Sequence, residues 1–358
     1  MLIVAGMDGA DDATPGEPTP ESVHRPVLLH PLIETLQPRE GQVAVDGTLG
    51  GGGVTAALLE RVGPTGRVLA VDRDPDAIAA ARRRFAGIGA RLVLAHGNFA
   101  DLDTIAAEHG IADAHSISLD LGLSSHQLGD PARGFSFRLD GPLDMRMDPT
   151  EGTVTAADIV NGWEVADLAA LIRSYGEESF ATPIANALAR ARRLQPLTTT
   201  AQLRGIVEQT IPRRYWPRRI HPATRTFQAL RIEVNHELES LQFGLQAAIS
   251  LLRPGGRLGV IAFHSLEDTI VKNALHVAAQ NCLCPPQQPY CTCAHRASLF
   301  LLTRKAIRPD AAEMAVNPRA RSARLRVAER LDPRPDGAGH PQRAPAPSDP
   351  AASGPTPS

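Results

Sequence analysis

Residues 43–74 read VAVDGTLGGGGVTAALLERVGPTGRVLAVDRD, and the order of segments within them decides the fold. Gln42–Asp46 is a short apolar run that ends on an acid. Gly50, Gly51, Gly52 and Gly53 then follow in a row. Lacking a β-carbon, they allow positive φ and close approach of the backbone to a ligand. Val54–Val62 carries Ala, Leu and Glu and predicts a helix. Gly63-Pro64-Thr65-Gly66 breaks it, and Arg67–Val71 is a second buried strand that delivers Asp72. Strand, glycine loop, helix and strand make half of a nucleotide-binding fold. A carboxylate about twenty residues beyond the glycines is placed to accept ribose hydroxyls.

A glycine loop can also be a tight turn with no ligand, so the neighbouring residues decide which nucleoside it suits. A dinucleotide site wants G-x-G-x-x-G, with a pyrophosphate on the helix N-terminus. Gly50-x-Gly52 fits, but the third position is Thr55, and Asp46 places an acid at the loop entrance. An acid there repels a diphosphate and suits a ligand with an ammonium and a sulfonium. That favours S-adenosylmethionine over NAD.

Working outward, Pro75–Phe85 reads as a helix with proline in its first turn. Arg91–Ala95 is a third strand leading to Asn98-Phe99, Leu102–His109 a helix, and Ser116–Leu121 a fourth strand containing Asp120. Three strand ends at similar spacing predict a parallel sheet with ligand groups along its carboxyl edge. The alternation then stops. Gly134–Pro149 is loop-like, and Ala156–Ala191 and Thr200–Gln209 look helical. Ala229–Leu252 reads as one strong helix, with apolar residues recurring at three and four. Arg253-Pro254-Gly255-Gly256 ends it. Leu258–Phe263 is a fifth strand, and Leu299–Thr303 with Ala323–Ala328 a closing antiparallel pair. The expected architecture is α/β and Rossmann-like: a seven-stranded, mostly parallel sheet with a mostly helical insertion. The sheet domain takes 23–128 and 222–331, and the insertion 129–221. Residues 1–22 and 332–358, rich in Pro, Gly, Ala, Asp and Ser, read as disordered tails.

The 358 residues carry 37 Lys and Arg against 39 Asp and Glu, a net charge of −2. Five acids and no base lie in residues 1–22, which leaves the rest near +3. Overall charge therefore does not argue for nucleic acid, and only its distribution can. The opening MLIVAGM is too short for a signal peptide and lacks a basic flank, and no run approaches a membrane span. A cytoplasmic protein is expected, with no membrane and no obligate protein partner.

The motifs resemble the RsmH (MraW) methyltransferases. They include Pro26-Val27-Leu28-Leu29 after His24, Asp46-Gly47-Thr48, Asp72-Arg73-Asp74-Pro75 and Asp120-Leu121-Gly122-Leu123-Ser124-Ser125. Gly134-Phe135-Ser136-Phe137, Pro142–Asp148, His221–Arg231, Phe263–Asp268 and Asn317-Pro318-Arg319-x-Arg321-Ser322 complete the set, in one order from 24 to about 327. The resemblance implies a Rossmann-like class I methyltransferase. It would use S-adenosylmethionine to methylate the exocyclic N4 of a cytidine in the decoding region of 16S rRNA, on free rRNA or the small ribosomal subunit. It also implies cofactor contacts at Gly52, Gly53, Val54, Asp72, Phe99, Asp120 and Gln127. Residue 54, often His in the family, is Val54 here, so only a backbone contact survives there; His126 replaces a frequent Pro. An amino-methyltransferase acting on DNA or another RNA, or a nucleoside-binding module without turnover, are the alternatives.

Two residues are candidates for catalysis. Asp120, at the end of strand four, either accepts from the N4 amine as charge builds on nitrogen or only holds the cofactor. His264 follows strand five and could touch substrate, with Ser265 capping the next helix and Glu267 and Asp268 in its first turn. Arg213-Arg214-Tyr215-Trp216-Pro217-Arg218-Arg219-Ile220-His221 interleaves arginines with aromatics. That pattern suits phosphate contact and base stacking, or is a solvated basic loop. The 134–137 and 144–148 loops would wall a pocket for a flipped base, unless Phe135 and Phe137 are insertion core. No metal is assigned. Cys282, Cys284, Cys291 and Cys293 permit a zinc clip, but at C-x-C rather than the usual C-x-x-C spacing, and reduced thiols on a loop are the alternative.

Overall fold

The computed structural model describes residues 26–332, except Thr153, Arg219, Pro286 and Pro289. Both expected tails, apart from residue 332, lie outside the described residues, as do His24, Arg25 and Arg219. In chain order the first part contains α1 (Leu29–Leu36), β1 (Val43–Asp46), α2 (Gly53–Val62), β2 (Arg67–Asp72), α3 (Pro75–Arg84), β3 (Leu92–His96), α4 (Leu102–Glu108) and β4 (Ala114–Asp120). The middle is helical: α5 (Ser125–Gly129), α6 (Ala156–Gly162), α7 (Val165–Gly176), α8 (Ala181–Arg192), α9 (Thr200–Thr210), α10 (Thr224–Val234) and α11 (Glu237–Leu251). The chain then returns with β5 (Leu252–Ala262), α12 (Ser265–Ala278), β6 (Leu299–Leu301), α13 (Ala311–Val316) and β7 (Arg324–Arg330).

The sheet order is β3-β2-β1-β4-β5-β7-β6. The first five strands are parallel, and β7 runs antiparallel to both β5 and β6. This is the doubly wound, Rossmann-like sheet the sequence predicts, closed by a reversed strand. Both faces are covered, which is why the parallel strands are nearly continuous apolar runs. One face packs on α4, α11 and α12 through Leu102, Leu241, Leu245 and Val271; the other packs on α1 and α2 through Leu32, Leu36 and Leu58.

The insertion has its own core, built from Leu143, Ile159, Leu168, Ile172, Ile184, Leu188, Leu203 and their neighbours. Helix α10, which the 221/222 boundary gave to the sheet domain, adds Phe227, Ala229, Leu230 and Val234 to that core. The helical region 156–191 consists of three helices, α6 being N-capped by Thr155 and α7 preceded by Glu164. The single helix expected over 229–252 is also divided. It breaks at Asn235-His236, where His236 takes φ +49°. The Asn235 side chain causes the break: its Oδ1 accepts from Met147 N–H at 2.7 Å and its Nδ2 donates to Met145 carbonyl at 2.8 Å. Those bonds tie the helix junction to the loop that follows β4. Strand β5 also starts earlier than the sequence suggests. Arg253–Gly256 form an irregularity inside the strand, with Gly255 at φ +76°, between the Ala114–Leu252 and Ser116–Arg257 pairings.

Candidate active site

The sheet order reverses between β1 and β4, and a cleft of about 390 Å³ opens there at the carboxyl ends of the strands. That is where doubly wound sheets bind ligands, and the volume is of ligand size. Its floor is the 47–51 loop with Gly53 and Val54; Asp72, Phe99, Asp120 and Gln127 line it from β2, β3, β4 and α5. Six of the seven predicted cofactor residues thus line one cleft. Gly52 does not. It caps α2 at φ +75°, and a β-carbon there would press on the Phe85 ring at 2.8 Å. Its role is to shape the turn behind the loop. Gly53 is backed by Pro26, which leaves no room for a side chain.

Asp46 departs from its expected place at the loop entrance. It is fully buried under the loop and accepts from Thr55 Oγ1 at 2.6 Å, Thr48 N–H at 3.3 Å and Ser118 Oγ at 3.5 Å. Burial pushes its carboxyl above the usual range, against those hydrogen bonds. It holds the loop from beneath and does not line the cleft.

The acids that do line the cleft are Asp72 and Asp120. Asp72 accepts from Asp74 N–H at 2.9 Å and Gly50 N–H at 2.7 Å, fixing the glycine loop to the end of β2. Burial raises its carboxyl to about 6, with the charges of Asp74 and Asp46 adding to the shift. Asp120 Oδ1 is sealed from solvent and has no hydrogen-bond partner. Burial, then the charges of Asp46 and Glu267, raise this carboxyl to about 7, opposed only by a hydrogen bond from Gly122 N–H. Gln127 is committed elsewhere: its Nε2 donates to Asp74 at 2.9 Å and its Oε1 accepts from Ser124 N–H at 3.0 Å. Arg133 joins the same Asp74 at 3.1 Å, so this corner clamps the loop after β4 onto α3.

His264, not Ser265, caps α12. Its Nδ1 accepts from Glu267 N–H at 3.4 Å, while Glu267 Oε2 accepts from Phe263 N–H at 2.7 Å and His264 N–H at 3.2 Å. Ser265 instead bonds Glu177, the residue just after α7. Asp268 leaves the helix to pair with Arg326 at 2.7 Å and Arg324 at 2.8 Å on β7. His264 does not line the cleft, but its Nε2 is sealed, without a hydrogen bond, and 3.0 Å from Glu267 Oε1. Glu267 does line the cleft, as do Arg231, Glu237 and Ser240 from the α10–α11 junction. Arg231 clasps Glu237 with two bonds of 2.7 Å. Arg231, Glu237 and Ser240 reach the cleft because the helix breaks between Arg231 and Glu237.

In the insertion, the loop aromatics do not wall the cleft. Phe135 is buried in the insertion core, and Phe137 stacks on His221 at 4.7 Å and edges Phe227 at 5.4 Å. From these two loops Met147 reaches the cleft, beside Leu123 and Leu128. In the basic run, Trp216 packs on the core and donates its indole N–H to Ile211 carbonyl at 2.9 Å. Tyr215 is left exposed, with the Arg214 guanidinium over its ring at 4.9 Å and Arg213 over Trp216 at 4.8 Å. Among the described residues no helix is long and apolar enough to cross a membrane.

Comparison with known proteins spans both bodies. The MraW methylase family matches residues 21–331. The ribosomal RNA small subunit methyltransferase H of Thermomicrobium roseum is 53% identical over 310 residues, 87% of this chain and 94% of that protein. Its counterparts from Syntrophotalea carbinolica and Trichlorobacter lovleyi are 50% and 49% identical over 308 residues, 86% of this chain and 98% of theirs. A match that runs unbroken through the cleft-bearing sheet and the helical insertion admits one reading of descent: the chain belongs to the MraW methylase family and is a methyltransferase.

Proposed function

We propose that the cleft binds S-adenosylmethionine and that the enzyme methylates the exocyclic N4 of a cytidine in the decoding region of 16S rRNA. The relatives are named for the RNA of the small ribosomal subunit, and the chemistry of the cleft agrees with a cationic nucleoside. One observation carries the cofactor: Asp120 Oδ1 is sealed without a partner in the wall of a cleft that a second acid, Asp72, also lines. Such an oxygen is costly to leave unmatched and calls for a donor or a positive centre from a ligand. Asp72 keeps a second lone pair on each oxygen for ribose hydroxyls. Gly53 and Val54 offer backbone N–H groups at the start of α2, and the half-buried Phe99 an apolar face for adenine.

When bound, the cofactor supplies an electrophilic methyl carbon for in-line displacement. The protein positions the amine and excludes water. Asp120, with its unpartnered oxygen in the cleft wall, holds the cofactor in place for the incoming amine. The outer rim of Leu123, Leu128 and Met147 is apolar and suits the face of a base taken out of its stack. Arg213, Arg214 and Arg218 beside exposed Tyr215 form the RNA-facing surface of the insertion.

Transfer of tritium from labelled S-adenosylmethionine to small ribosomal subunits, naked 16S rRNA and DNA tests this directly. Label recovered as N4-methylcytidine from one or both RNA substrates is the expected result. Label in DNA alone, or cofactor binding with no transfer to any of them, overturns it.

A further inference from the structure

Methyl transfer leaves the cysteines unused. All four lie in 279–298, the connection between α12 and β6, whose described residues form no helix or strand. A structureless connection of this length within a compact domain is uncommon and normally has a function or a cross-link. Its ends are pinned: Ser298 N–H donates to Ala278 carbonyl at 2.8 Å, and His295 Nε2 lies 2.9 Å from Val277 carbonyl.

The sulfurs converge between those ends. Cys282 Sγ is 3.4 Å from Cys291 Sγ and 3.8 Å from Cys293 Sγ, and the last two are 3.6 Å apart. All four sulfurs fall within 4.8 Å of one another. An ion bound tetrahedrally to sulfur at about 2.3 Å separates its ligands by about 3.8 Å, the edge of that tetrahedron. A disulfide requires about 2.05 Å, and a multi-iron cluster spreads its cysteines around a larger body.

Backbone amides point at the sulfurs. Leu283 N–H donates to Cys293 Sγ at 3.3 Å, Cys284 N–H to Cys282 Sγ at 3.4 Å, and Thr292 N–H to Cys284 Sγ at 3.4 Å. A thiol is a weak acceptor and a thiolate a strong one, so three such bonds are outer support for charged ligands. The C-x-C turn also supplies an amide to its own first sulfur, which offsets its departure from the C-x-x-C spacing.

We propose that Cys282, Cys284, Cys291 and Cys293 form a closed, structural zinc site that staples the α12–β6 connection. Four thiols and one Zn²⁺ give a tetrathiolate complex of charge −2 and release four protons, with no change of oxidation state. All four positions are filled by protein, so no site is left for water or substrate. The site is also remote from the cleft. Helix α12 starts beside Glu267 at the carboxyl edge of the sheet and runs 14 residues, about 21 Å, to the opposite edge.

Metal analysis of the full chain, purified under reducing conditions without chelator, should find about one zinc per chain. Cobalt(II) in its place should give the intense ligand-field absorption of a tetrahedral thiolate complex. The C282S/C291S variant should lose the zinc, and trypsin should cut after the exposed Arg296 at least roughly tenfold faster, as local opening becomes easier. Chelation of the wild-type protein should give the same cleavage, which keeps the test valid should the variant fail to fold. Reduced wild-type protein that holds less than about a tenth of an equivalent of zinc and takes up no cobalt overturns the proposal. So does iron as the resident metal, or cleavage after Arg296 that chelation does not change.

Discussion

Asp46 ends β1 and Asp120 ends β4, on neighbouring parallel strands, and burial raises both carboxyls. Asp46 has Thr55, Thr48 and Ser118 around it and no access to the cleft. Asp120 lines the cleft and has one oxygen without a partner. The same residue type at the same kind of strand end therefore does two jobs, and the hydrogen-bond inventory separates them. An acid whose bonds are all made inside the protein maintains a loop; one left short is held ready for something that arrives.

The largest effect should come from breaking the first of the pair. Asp46→Ala orphans the Thr55 hydroxyl and the Thr48 amide, so chemical denaturation should show a loss of about 3 kcal/mol. Asp120→Asn should cost little or nothing at pH 8. Its sign follows from the raised carboxyl: the contribution is fully present below pH 3.8 and is lost as pH rises through about 7. Replacing the acid removes that loss, so the variant's stability should be flatter between pH 4 and about 8 than the wild type's. An Asp46→Ala protein as stable as wild type would erase the distinction.

Next in size is ligand binding. Asp72→Ala and Asp120→Asn should each weaken S-adenosylmethionine by about 1–3 kcal/mol, read by calorimetry. Asp120→Asn should leave kcat at saturating cofactor nearly unchanged. A kcat loss beyond about a hundredfold would move Asp120 from holding the cofactor to acting on the amine. Smallest is the outer surface. Replacing Arg213, Arg214 and Arg218 with Gln should leave cofactor affinity alone and lower the salt slope of RNA binding by roughly 0.7–0.9 for each lost phosphate contact. An unchanged slope would mean the run is only a solvated loop.

What was legible in the sequence is what local pattern controls. The position of Asp72 at the end of β2 is legible because an apolar run ends on it after a glycine loop, and the sheet because strands recur with helices between them. Asp46 was misplaced since its partners come from α2 and β4, which no local window contains. The break at Asn235 was hidden for the same reason: helical periodicity continues across it, and the bonds that cause it reach Met145 and Met147. With that break went Arg231 and Glu237 as cleft residues. Phe135 and Phe137 sit among glycine and serine, a local pattern that fits a pocket wall or insertion core equally; Phe135 is buried in that core, and Phe137 packs on it through Phe227 and His221.

The placement of β7 has a consequence for synthesis. The last strand among the described residues lies inside the sheet, between β5 and β6, rather than at an edge. Strand β5 is complete at residue 262 but acquires its second neighbour only when residue 330 has been made. At about 5–20 residues per second, one side of β5 stays open for several seconds on a translating ribosome. An unpaired flank of Leu258, Val260 and Ile261 is an adhesive surface during that time. The vulnerable interval in the synthesis of this protein is then the one between residues 262 and 330, and slow codons there would lengthen it.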